Sequence, residues 1–310
     1  MMNDLPDFSA APLHQILDYF DNDSKNETPI NFLIADPDLC RGYYAGERID
    51  RNGQKLICRS WKAWVDLASH LGYRLLTPER YDKTRLRLTF ESVTRERSFH
   101  TDNESDKYSS RSPFARIHKN EESAYYLPYF QALKRLEIFH RPRILALGVN
   151  RGDELEPILR FNPEAKVTGI DLDADALALA QKRFGPALTT HCLDLNRLEE
   201  LDLGRYELIL SIGTLQSPGI DMKPLMMELV QKHLTQKGAL LLGWPNARWI
   251  DGELLYGARP KNYPFSELSL VIKDLFWIKK YLQQHKYRVV ITGREYLFLE
   301  ATKIGLSRKA

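Results

Sequence analysis

The sequence predicts an α/β fold: a doubly wound, seven-stranded, mostly parallel sheet preceded by an N-terminal α+β accessory region. Three observations carry that prediction. From Pro142 onward, apolar strand-like runs alternate with helical runs. The first of these strands, in "RILALGVNRGDEL" (residues 143–155), leads through a glycine-bearing turn into a helix. The second and third strands each finish on an acid, Asp171 and Asp194.

The elements follow in order. "NFLIADP" reads as a strand. "RSWKAWVDLASHLGY" (59–73) reads as an amphipathic helix with Trp61, Trp64, Leu67, Ala68 and Leu71 on one stripe. "RLRLTFESV" sets Leu86, Leu88 and Phe90 against polar neighbours, a half-buried strand. The polar stretch 97–123 has little periodicity and reads as a linker or lid. A helix follows over 124–139, with Pro128 near its first turn where proline is tolerated.

In the remainder, strands are expected at "RILALGV", "KVTGIDL", "LTTHCLDL", "YELILSIG" and "GALLLGWP", with two more in "RVVITGREYLFLEATKI". Helices are expected at "GDELEPILRF", "DADALALAQKRF" with Asp173 as N-cap, "KPLMMELVQKHL" and "ELSLVIKDLFWIKKYLQQHKY". A terminal hairpin would put one antiparallel strand into the sheet. The chain therefore divides into 1–96, an accessory or substrate-recognition region; 97–140, a linker or lid with its helix; and 141–310, the ligand-binding domain.

Composition narrows the function classes. The chain has 310 residues, 43% of them hydrophobic, and no run approaching the ~20 apolar residues that span a bilayer. The N-terminus lacks a basic region followed by an apolar run, so a soluble, cytoplasmic protein is expected, without a membrane partner. Cys40, Cys58 and Cys192 form no CxxC pair; neither a disulfide framework nor a metal site is expected. The net charge is +3, but arginine and lysine crowd residues 40–99. That asymmetry suits an anionic partner, and equally an ion-paired, solvated surface. Nothing in the sequence speaks to the oligomeric state.

In a doubly wound sheet, ligands bind beyond the carboxyl ends of the strands. Gly148 and Gly152 would let the first loop turn tightly and approach a ligand. Their spacing is neither G-x-G-x-x-G nor G-x-x-x-x-G-K-[ST], so the dinucleotide and phosphate-loop signals are absent. Asp171 lies about twenty residues past the loop, where an acid accepts from ribose hydroxyls. Asp194 could accept from an adenine amine. Loop, ribose acid and adenine acid fit an adenosine without phosphates. Singly, each has an ordinary structural alternative: glycines packing helix on strand, and loop acids.

From about residue 141 to 304 the chain resembles the class I S-adenosylmethionine (SAM)-dependent methyltransferases, in the Rossmann-like form of the fold. The first family motif, acid-x-Gly-x-Gly-x-Gly, matches Ala146-Leu147-Gly148-Val149-Asn150-Arg151-Gly152; the acids after strands two and three match Asp171 and Asp194. The resemblance implies SAM as cofactor, with S-adenosylhomocysteine as product. It implies a cofactor set of Gly148, Val149, Asn150, Gly152, Asp153, Asp171, Leu172, Asp194, Leu195, Ser211 and Gly213. Two positions depart from the motif. Ala146 replaces the acid that orients the methionine end, leaving Asp153 or a lid residue to anchor the amino group. Asn150 replaces the middle glycine, and asparagine tolerates left-handed backbone.

For catalysis no residue is fixed; His100, His118 and Gln216 are candidates, a base being needed only for an acceptor protonated at neutral pH. Tyr125, Trp244, Asn246 and Arg248 are candidates for an acceptor pocket, with core packing the alternative for the aromatics. The motif [DN]-P-P-[YFW] is absent after strand four. The first expectation is methyl transfer to a small molecule. The alternatives are RNA (tRNA or rRNA) methylation using the basic, aromatic N-terminal region, and SAM binding without transfer, which the missing acid at Ala146 keeps open.

Overall fold

The computed structural model describes residues 5–22, 29–51, 53–93, 117–250, 253–257 and 268–305. Contacts group the chain into two units, Met1–Arg97 and Ser98–Ala310.

In the first unit, helices α1 (Leu13–Asn22) and α2 (Trp61–Leu71) cover strands β1 (Ile30–Ala35), β4 (Tyr73–Leu75), β5 (Glu79–Arg80) and β6 (Arg85–Ser92). Strand β6 pairs antiparallel with β1, β4 and β5. Alternation along the strands sends Phe32, Ile34, Leu86, Leu88 and Phe90 into one core with Ile16, Phe20 and Trp64. Strands β2 (Arg48–Arg51) and β3 (Gln54–Ile57) form a separate hairpin. The helix expected over 59–73 is shorter because both ends are capped. Ser60 accepts the Ala63 N–H, and Gly72 leaves the helix at φ 83°. Helix α1 and the β2–β3 hairpin were not anticipated, although Leu13, Ile16, Leu17 and Phe20 of α1 recur at helical spacing.

The second unit begins with α3 (Ser123–Arg135) and then alternates as expected: β7 (Arg143–Leu147), α4 (Leu155–Phe161), β8 (Lys166–Asp171), α5 (Ala174–Phe184), β9 (Leu188–Cys192), β10 (Tyr206–Ile212), α6 (Met222–Glu228) and β11 (Leu234–Pro245). A hairpin, β12 (Ala247–Ile250) and β13 (Glu253–Tyr256), precedes α7 (Ser269–Gln284), β14 (Tyr287–Gly293) and β15 (Tyr296–Lys303). The sheet has seven strands in the order β14-β15-β11-β10-β7-β8-β9. Within this sheet β15 alone runs opposite to the other six strands.

Burial on both faces explains the continuous apolar strands. In β7, Ile144 and Ala146 face a core with α3, α4 and α5, while Leu145 and Leu147 face a core with α6 and α7. One expected helix is cut short: 223–234 becomes α6 plus a π-turn over Leu229–His233, and β11 starts at Leu234, opposite Tyr206. The chain leaves β7 toward β8 and β9, then returns to β7's other side with β10. The carboxyl ends of β7 and β10 therefore open a crevice at a topological switch point.

Candidate functional site

The loop after β7 is held in left-handed backbone at three positions: Gly148 (φ 67°), Asn150 (φ 46°) and Gly152 (φ 75°). The N–H groups of Gly148 and Val149 donate to the Ile170 carbonyl at 2.7 and 3.2 Å, tying the loop to the end of β8. Asp171 continues the tie. Its Oδ2 accepts the Asn150 N–H at 2.8 Å and its Oδ1 accepts the Asp173 N–H at 3.0 Å. Asn150 satisfies its own turn, Oδ1 accepting the Arg151 N–H at 2.8 Å.

This loop borders a cavity of about 440 Å³, within the range of small-molecule sites. Leu172, Ala176, Leu179, Leu195, Ile212 and Ile220 give it apolar walls. Asp194 reaches it from the turn after β9, where its carboxylate also caps the Leu195–Glu200 turn by accepting the Asn196 N–H at 2.9 Å. Thr214 and Ser217 border it beyond β10.

The cavity also holds a buried acid. Glu154 is 8% exposed and lines the space. Its backbone is fixed by the Tyr129 hydroxyl, which donates to the Glu154 carbonyl at 2.7 Å. Burial pushes the Glu154 carboxyl up to about 8, against the pull of the Lys119 ammonium. Lys119 lines the same cavity, brought there because Asn120 donates to the Asp153 carbonyl at 2.8 Å.

Of the residues expected to hold a cofactor, Gly148, Val149, Asn150, Asp153, Asp171, Leu172, Asp194, Leu195 and Gly213 border this one cavity. Gly152 and Ser211 do not. A Cβ at Gly152 would meet the Phe184 ring at 2.6 Å, so this glycine serves close packing of loop on helix. Ser211 is buried inside the sheet, in register with Leu147 and Leu242. Asp153 borders the cavity, but its carboxylate pairs with Arg183 at 2.6 Å.

The expected acceptor residues lie elsewhere. Tyr125 is buried, stacked on Tyr129 at 5.5 Å and edge-on to Tyr296 at 5.0 Å. Trp244 is 1% exposed, inside the core under α6 and α7. Asn246 is buried and donates to the Arg294 carbonyl at 3.0 Å. Arg248, on the β12–β13 hairpin, donates to the Gly257 carbonyl at 3.3 Å. His118 and Gln216 are exposed and do not border the cavity; His100 lies outside the described residues, as does the linker as far as residue 116.

The residues not anticipated are Ile117, Lys119, Glu154, Ala176, Leu179, Thr214, Ser217 and Ile220. Glu154 carried a signal, an acid directly beside Asp153 where the loop becomes a helix. Lys119 carried none, because its place depends on the Asn120 tie.

Residues 145–240 match a family model described as a methyltransferase domain. Over this stretch the chain is similar to a methyltransferase domain. The match spans β7 to β11 and so includes the loop, Asp171, Asp194 and Glu154. No curated protein matches the chain. Among solved structures, it is similar to the plantazolicin methyltransferase BpumL in complex with SAH, at 15% identity, covering 64% of this chain and 93% of that one, with a TM-score of 0.46. It is also similar to the methyltransferase domain of bacterial CtHen1, at 13% identity, 58% and 99% coverage and a TM-score of 0.44. An O-methyltransferase family protein from Burkholderia thailandensis gives 14% identity, 79% and 85% coverage and 0.43. Among the described residues, no helix is long and apolar enough to cross a membrane, and no group of acids, histidines and cysteines could hold a metal.

Proposed function

We propose that this protein methylates a small-molecule acceptor, with SAM held in the cavity between the loop after β7 and the ends of β8, β9 and β10. The observation that carries the reading is the convergence of Gly148, Asn150, Asp171 and Asp194 on one small, apolar-walled space. The donor set fits the cofactor: Asp171 for the ribose hydroxyls, Asp194 for the adenine amine, and Leu172 and Leu195 for the purine faces. When bound, SAM supplies a methyl group on a positively charged sulfur.

The chain's own part is positioning. The loop, braced by Asp171, fixes the backbone against which the cofactor lies, and the apolar walls exclude water.

The N-terminal unit offers less to RNA than its composition suggests. Arg74 pairs with Glu91, Arg80 with Asp36, Arg85 with Asp7 and Asp82, and Arg87 with Glu79. Trp64 is buried among Phe32, Leu88 and Phe90 rather than available for stacking. Paired arginines release few phosphate counterions, and that release drives non-specific RNA affinity. The test is radiolabelled methyl transfer into two extracts, one of RNA-free metabolites and one of total RNA. Label in a small molecule is expected; label in RNA alone would overturn the acceptor class.

A further inference from the structure

We infer that Glu154 and Lys119 replace the missing loop acid: Glu154 accepts the α-ammonium of the cofactor's amino-acid end and Lys119 meets the α-carboxylate. The inference rests on the SAM site proposed above and names the part of it that the sequence motif leaves empty. Ala146 cannot serve, being fully buried between Leu210 of β10 and Gly169 of β8. Asp153 is engaged by Arg183.

Glu154 is the acid that remains. It borders the cavity, is 8% exposed, and among the described residues makes no ion pair and no side-chain hydrogen bond to another residue. A buried carboxylate left in that state is costly unless a ligand supplies its partner. Lys119 borders the same cavity without pairing to Glu154; its Nζ lies 3.9 Å from where a Cβ of Gly213 would stand. An acid and an amine that share a cavity without touching leave room for a zwitterion between them, its ammonium toward one and its carboxylate toward the other.

The groups facing Glu154 are Lys119, Asp153, Asp171 and the phenols of Tyr125 and Tyr129. Burial dominates, so in the ligand-free protein at pH 7 the Glu154 carboxyl is mostly protonated. An incoming ammonium favours the carboxylate, and the displaced proton passes to solvent. Affinity for the amino-acid end therefore rises as pH rises from about 6 to 7.5, approaching tenfold per unit where one proton is released.

The test is calorimetry with two probes, S-adenosylhomocysteine and 5′-methylthioadenosine, which shares the adenosine and lacks the amino-acid group. Titrations at pH 7 in phosphate and in Tris count the protons released. The wild-type protein is expected to bind both, releasing close to one proton with the homocysteine compound and none with methylthioadenosine. Glu154→Gln should weaken S-adenosylhomocysteine about tenfold or more, abolish the proton release and leave methylthioadenosine affinity unchanged; Lys119→Gln should weaken only the former. Retained methylthioadenosine binding reports that each variant is folded, and proton release by the wild type needs no variant. Equal proton release with both probes, or wild-type affinity in Glu154→Gln, would overturn the clamp while leaving the cofactor site standing. Failure of the wild type to bind either probe would overturn both.

Discussion

Asp171 Oδ2 accepts the backbone N–H of Asn150 at 2.8 Å, although the two are 21 residues apart. One carboxylate thus holds the loop and faces the cavity. The acid read from the sequence as a ribose ligand is also the brace of the turn that shapes the site.

Removing that brace should affect binding and stability together. Asp171→Ala is expected to weaken S-adenosylhomocysteine by about 1–3 kcal/mol, the cost of stranding buried donors. It should also lower Tm, since the N–H groups of Asn150 and Asp173 lose their acceptor. Calorimetry and thermal melts check the two effects; unchanged Tm with lost affinity would leave the ribose contact but remove the brace.

Asn150 sits at φ 46°, where its side chain compensates the Arg151 N–H. Asn150→Ala is expected to lower stability by about 1–2 kcal/mol, because a β-carbon without that hydrogen bond pays for left-handed backbone. Asn150→Gly should cost less. Chemical denaturation of the two variants checks the order.

Gly148 shows how little room the loop has. A Cβ there would fall within the Thr214 side chain, whose hydroxyl donates to the Leu147 carbonyl at 3.3 Å. Gly148→Ala should destabilise by about 2 kcal/mol or more, from overlap and from φ 67° together. Adding Thr214→Gly should recover the steric part and not the backbone part, which a double-mutant cycle separates.

Glu154 links function to stability with a definite sign. Its folded pKa, about 8, lies above the ordinary 4.5, so the folded state holds a proton that the unfolded chain gives up. The ligand-free protein should therefore lose stability as pH rises from about 4.5 to about 8. Glu154→Gln removes this penalty, and at pH 8 should raise Tm by roughly 2–4 °C per kcal/mol recovered. Melts at pH 6 and pH 8 check it; the gain should appear at pH 8 and shrink at pH 6.

The domain's architecture was legible because its central parallel strands, buried on both faces, are continuous apolar runs such as those of β7, β10 and β11, set between glycine turns and amphipathic helices. Asp171, Asp194 and the loop were legible because a short peptide segment fixes each at a strand end. Where the structure places residues apart from the cavity, or brings unexpected ones to it, the deciding contacts are long-range. Tyr125, Trp244 and Asn246 look like pocket residues by type, yet all three are buried and none lines the cavity. Gly152 looks like a ligand glycine, yet the ring it accommodates belongs to Phe184, a helix away. Lys119 enters the cavity through the Asn120–Asp153 hydrogen bond, which no local pattern announces.

The most direct test of the account is a calorimetric titration of the full chain with S-adenosylhomocysteine, repeated on Asp171→Ala. One-to-one binding by the wild type, weakened about tenfold or more in the variant, is the predicted result. Absence of binding by the wild type, or an affinity indifferent to Asp171, would contradict it.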